Sequence, residues 1–127
     1  MAKDIIKTPN APAAIGPYSQ GVIAEGRMVF ISGQVSLDPV SGQMIGSTAA
    51  EQAEQVMKNL RGALTAGGAD FPQVVKTTIF LKSMDDFSAV NEVYARHMSA
   101  PYPARATVQV SRLPKDALVE IDAIAVL

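Results

Sequence analysis

Apolar and polar positions alternate along several short runs of this chain, and that alternation predicts its strands. Residues 4–7 read as a short first strand, and the proline-rich stretch from Thr8 to Pro17 as irregular chain. Tyr18–Ala24 alternates, Glu25-Gly26 reads as a hairpin turn, and Arg27–Ser32 as the returning strand. Met28, Val29, Phe30 and Ile31 are continuous apolar positions, the pattern of a strand buried on both faces and ended by Gly33. Asp38 to Gly42 is a second turn. From Thr48 the period changes to that of a helix. Ala49, Ala53, Val56, Met57, Leu60, Ala63 and Leu64 recur on one stripe, behind a Thr48-Ala-Ala-Glu51 capping box and ahead of Gly67-Gly68.

Val74–Leu81 returns to a period of two and is rich in β-branched residues, as a central strand should be. A second helix opens at Ser83 with Asp85 and Asp86 in its first turn, and its stripe is Met84, Phe87, Val90, Tyr94 and Met98. Pro101 and Pro103 end it. Two last runs follow, one with Arg105, Thr107 and Gln109 on a common face, the other alternating Val119, Ile121 and Ala123 with Glu120, Asp122 and Ile124. Paired as an antiparallel hairpin about Arg112 and Leu113, they set Arg105 opposite Glu120, about 5 Å apart at Cβ. Such a pair is either a place for chemistry or a cross-strand salt bridge. The element order predicts a two-layer α/β (α+β) domain over residues 1–127, both helices on one face of the sheet. The other face is left partly apolar, which marks an oligomer interface.

Composition narrows the candidates. With 127 residues the chain can bury a core, and 48% hydrophobic against 18% charged is globular chemistry. Eleven basic and 12 acidic residues give a net charge of −1, with no basic stripe to invite a nucleic acid. Cysteine is absent, which excludes thiolate chemistry and suits a reducing compartment. Neither a leader-like apolar core in Met1–Lys7 nor a run of about 20 apolar residues occurs, so a cytoplasmic protein is expected. His97 is the one histidine and complements the carboxy-terminal dipole of the second helix. No metal-ligand spacing or phosphate loop is present, and no metal is expected. Tyr18 and Asn91 are open to either a packing or a binding role.

The stretch Pro103-Ala-Arg-Ala-Thr-Val-Gln-Val-Ser-Arg-Leu113, with Val119-Glu-Ile121 following, resembles the signature of the RidA (reactive intermediate deaminase A) family. Ala14-Ile-Gly-Pro-Tyr-Ser-Gln-Gly21, Ser32-Gly-Gln34, Val74-Val-Lys-Thr77 and Val90-Asn-Glu-Val-Tyr94 are similar to its other blocks. That resemblance implies a chorismate-mutase-like fold, with a mixed, mostly antiparallel sheet of about six strands. It implies a homotrimer with ligand sites between subunits. It implies cofactor-free hydrolysis of 2-iminobutanoate and 2-iminopropanoate, which arise from pyridoxal-phosphate dehydratases, to 2-keto acids and ammonia. Arg105 would clamp the substrate carboxylate and Glu120 would position the water, with the substrate between them. Tyr18, Gly33, Asn91 and Thr107 would complete the pocket. Many bacterial relatives have cysteine where this chain has Thr107. Two rival readings are an endoribonuclease, a label some members carry, and a non-enzymatic trimer, chaperone-like or binding a small carboxylate.

Overall fold

The computed structural model describes residues 3–127, so the first two positions of the amino-terminal stretch read above lie outside it. Strands β1 (Asp4–Ile6) and β2 (Gly21–Ile23) pair antiparallel and form a small sheet of their own. The main sheet holds β3 (Met28–Gln34), β4 (Val74–Leu81), β5 (Ala104–Gln109) and β6 (Val119–Val126), in the order β3-β6-β4-β5. Helices α1 (Ala49–Ala66) and α2 (Phe87–His97) complete the chain and cover one face of that sheet. The expected α+β plan of two helices on a mixed sheet is what the chain adopts. Its six strands are divided four and two.

The helices form where the pattern put them. Thr48 accepts a hydrogen bond from the Glu51 amide while the Glu51 carboxylate reaches back to the Thr48 amide, satisfying two end donors that otherwise lack partners. Gly68, at φ +84°, supplies the left-handed residue after α1. Val56, Met57, Leu60 and Leu64 of α1 pack with Val90, Val93 and Tyr94 of α2 over Ile79, Leu81, Val119 and Ile121 of the sheet. Gln52 also lies on the buried stripe. It is tolerated because its amide bonds both ways, accepting from the Leu118 amide and donating to the Gly46 carbonyl. Met84 departs from the expected stripe. It sits in a one-turn 3-10 segment ahead of α2 and is 42% exposed.

Three strand expectations are corrected. The closing hairpin does not form: β5 pairs parallel to β4, and β6 lies on the other side of β4, antiparallel. The physical cause is burial. Strand β6 is buried along the whole of its Val119, Ile121, Ala123 and Ala125 side and takes a central place with two neighbours, whereas β5 is half exposed and becomes an edge. The α2 crossover then sets β5 parallel to β4. Glu25-Gly26 does turn, with Gly26 at φ +136° against the Leu127 carbonyl, but β2 leaves it for β1 while β3 joins β6. Nor is β3 buried on both faces. Met28 and Phe30 are 56% and 67% exposed on the sheet face that no helix covers, and Val29 and Ile31 are half-buried beneath.

Candidate active site

The register fixes where the two candidate catalytic side chains lie. Arg105 pairs with Thr77, and Glu120 with Phe80, on opposite sides of β4. Two strand spacings across and three residues along separate their Cα atoms by about 14 Å. Thr77 points into the helix layer and Phe80 away from it, so the pairs they belong to occupy opposite sheet faces. The expected face-to-face arrangement of Arg105 and Glu120 is therefore wrong within one chain. No substrate the size of a four-carbon acid spans the sheet between them.

Arg105 lies in a cage. Its guanidinium carbon is 5.1 Å from the Tyr94 ring centre, 5.3 Å from Tyr18 and 5.9 Å from Phe87. One amino group donates to Asn91 Oδ1 at 2.7 Å. Phe87, Asn91 and Tyr94 fall at i, i+4 and i+7 on one face of α2, which brings them over β5 together. Burial lowers the Arg105 pKa from its ordinary value, opposed by the Tyr94 and Tyr18 hydroxyls. Among the described residues no carboxylate pairs with it. A guanidinium has five N–H donors and only one is used, so the free edge of the fork can take a planar anion. Beneath it the Tyr94 hydroxyl is buried, raising its pKa, and shares a 2.9 Å hydrogen bond with Thr77 Oγ1.

Thr107 lies two residues along the same strand face. Its hydroxyl oxygen is buried, with no hydrogen-bond partner among the described residues, in a narrow crevice with Ile79, Leu81, Phe87, Val90 and Asn91. An unpaired buried hydroxyl costs stability, so Thr107→Val, which keeps the shape and removes the oxygen, is expected to stabilise the chain by about 1 kcal/mol. Urea unfolding checks this; a lowered midpoint would show that the hydroxyl holds a partner.

Gly33 belongs with Glu120, not with Arg105. Strand β3 bulges between Ile31 and Gln34, and there its backbone lies so close to Glu120 that a Cβ on Gly33 would stand 2.2 Å from Glu120 Oε2. Glycine is needed for the carboxylate to occupy that place. Among the described residues no cation or hydrogen-bond donor engages the Glu120 side chain. The candidate residues thus fall into two groups, Arg105 with Tyr18, Asn91 and the neighbouring Thr107, and Glu120 with Gly33. His97 is in neither: its Nε2 lies 2.9 Å from Glu54 Oε2 on α1. Reading the sequence missed Phe87 and Tyr94 as cage walls because their spacing with Val90 was complete as a core stripe. Their signal was the polar Asn91 inside that same stripe.

Comparison with known proteins gives the chain a family. The family model described as endoribonuclease L-PSP matches residues 8–127. Protein DfrA of Myxococcus xanthus is 54% identical over 127 residues, covering 99% of this chain and 97% of its own. The human protein named 2-iminobutanoate/2-iminopropanoate deaminase is 46% identical over 126 residues, covering 99% and 91%. A crystal structure of RidA from the Antarctic bacterium Psychrobacter sp. PAMC 21119 superposes with a TM-score of 0.77 at 42% identity, covering 98% of this chain and 99% of its own. With the family model matched over residues 8–127 and relatives similar across nearly the whole length, this chain belongs to the endoribonuclease L-PSP family, the family of RidA.

Proposed function

We propose that this protein hydrolyses short 2-imino acids, such as 2-iminobutanoate and 2-iminopropanoate, to 2-keto acids and ammonia. The observation that carries the reading is Arg105, a half-buried, ring-caged fork with no carboxylate partner among the described residues. It suits the carboxylate that every 2-imino acid presents next to its reactive carbon. The names of relatives such as the human deaminase support the same chemistry.

In this mechanism Arg105 fixes the carboxylate while Glu120 orients a water toward C2 and accepts its proton as the C–O bond forms. Glu120 passes that proton to the imine nitrogen, giving a neutral carbinolamine. It then takes the hydroxyl proton as the carbonyl re-forms and delivers it to the departing nitrogen, which leaves as ammonia as the C–N bond breaks. The imine carbon is already electrophilic, so placement of two reactants is most of what the protein must supply, and the step calls for no cofactor. Since Arg105 and Glu120 of one chain stand on opposite sheet faces, one substrate meets both only if they come from different chains. The uncovered face bearing Met28 and Phe30 is the apolar surface on which further copies would pack, in keeping with a homotrimer.

The test is direct. A threonine dehydratase generates 2-iminobutanoate, semicarbazide traps it, and the protein competes with the trap. Suppressed semicarbazone formation at micromolar protein is expected; an unchanged trapping rate would sink the deaminase. The endoribonuclease reading has less support. The net charge is −1, and the lone histidine is engaged by Glu54.

A further inference from the structure

Of the three rings around Arg105, Phe87 and Tyr94 come from α2, whereas Tyr18 arrives on an irregular loop. A loop ring has no helix to hold it, so something else must. The ring's immediate turn is local: the Tyr18 amide donates to the Gly16 carbonyl at 2.8 Å, and the Ile15 amide donates to the Tyr18 hydroxyl at 3.3 Å. Neither bond refers the turn to Arg105. The residue that does is Ser19. It is 7% exposed, its amide donates to the Pro103 carbonyl at 3.0 Å, and its hydroxyl donates to the Tyr102 carbonyl. Both acceptors lie just ahead of Arg105, and Ser19 bridges Ala104 as a parallel partner. On its other side Gln20 fastens the loop outward, donating to the carbonyls of Thr8, Ala11 and Pro12 and accepting from the Thr8 amide.

We propose that Ser19 is a positioning residue of the imine site: its hydroxyl and amide tie the Tyr18 loop to the strand entering Arg105 and so hold the Tyr18 ring against the guanidinium. This rests on the deaminase reading for its kinetic consequence, though not for its structural one. The geometry distinguishes it from an ordinary buried serine. A hydroxyl kept only to satisfy itself could bond within its own loop, whereas this one spends its bond on the backbone adjoining the functional arginine. Freed of the tie, Tyr18 leaves the guanidinium face more exposed to water, and the fork loses its fixed direction. Substrate capture then suffers more than the chemical step.

The experiment compares Ser19→Ala and Ser19→Thr with the wild type in the trapping assay and follows the Arg105 Nε–H by NMR. With Ser19→Ala, KM is expected to rise about ten-fold while kcat changes less than about two-fold. The Arg105 Nε–H should also exchange faster with water. Ser19→Thr, which keeps the hydroxyl, should restore both. An unchanged KM with an unchanged Nε–H overturns the proposal, as does an equal loss of kcat in both variants that tracks falling stability. Should Ser19→Ala not fold, Ser19→Cys weakens the tie at nearly the same volume, and a wild-type KM there also overturns it. If the wild type shows no imine hydrolysis, the deaminase reading fails while the Nε–H comparison still judges Ser19.

Discussion

Replacing Arg105 by alanine is expected to lower kcat/KM for 2-iminobutanoate by two to three powers of ten and to leave the fold nearly as stable as before. The loss in activity follows from removing a charge-assisted, two-point clamp on the carboxylate, a contact whose truncation costs about 2–5 kcal/mol when it is desolvated. The fold is spared because the guanidinium contributes little to it. Burial disfavours its charge, and among the described residues it makes one hydrogen bond and no carboxylate depends on it. Arg105→Lys should recover only part of the activity, since an ammonium is a point charge that cannot form the planar two-bond contact. The measurement is steady-state kinetics beside urea unfolding. A variant that loses stability in step with activity would mean that Arg105 is a structural cation and that the ring cage serves packing.

Glu120→Gln is the second large effect. It keeps the shape and removes the proton acceptor, so kcat should fall by about two to three powers of ten with KM little changed. Gly33→Ala offers an independent route to the same defect. Its Cβ would stand 2.8 Å from Glu120 Cδ as well as against the oxygen, so the carboxylate must swing aside. It should therefore reduce kcat while leaving carboxylate binding intact. A Gly33→Ala enzyme with full kcat would place the water-directing group somewhere other than the observed Glu120 position.

How much of this was legible in the sequence depended on how local the physics is. The Thr48 capping box and the α1 stripe are written within a few residues of one another, and they read correctly. So did Val74–Leu81, whose alternation carries its own burial pattern. Strand partners are not local. Arg105 and Glu120 lie close in sequence, and antiparallel pairing is the short connection, yet the more deeply buried β6 took a central place with two neighbours, one of them β4. That single choice moved Glu120 to the other sheet face and separated it from Arg105. The β2–β3 hairpin failed for a similar reason, with β3 drawn to β6. The cage around Arg105 was half visible. Tyr18 and Asn91 stood out as polar or aromatic residues in odd places, while Phe87 and Tyr94 hid inside a stripe that core packing already explained. Ser19 gave no signal beyond its place in the Ala14–Gly21 block, because its role lies in two carbonyls more than eighty residues away in the chain, at Tyr102 and Pro103.

The central claim is that one active site joins Arg105 of one chain to Glu120 of another, and mixing defective chains tests it. Arg105→Ala and Glu120→Gln proteins, each lowered by two to three powers of ten in the imine-trapping assay, are combined one to one, unfolded and refolded together. With random assembly each site draws its arginine from an intact donor half the time and its glutamate half the time. The mixture should therefore regain about a quarter of wild-type activity. A mixture that co-assembles yet stays as inactive as its parents would contradict the shared site, and with it the roles given to both residues.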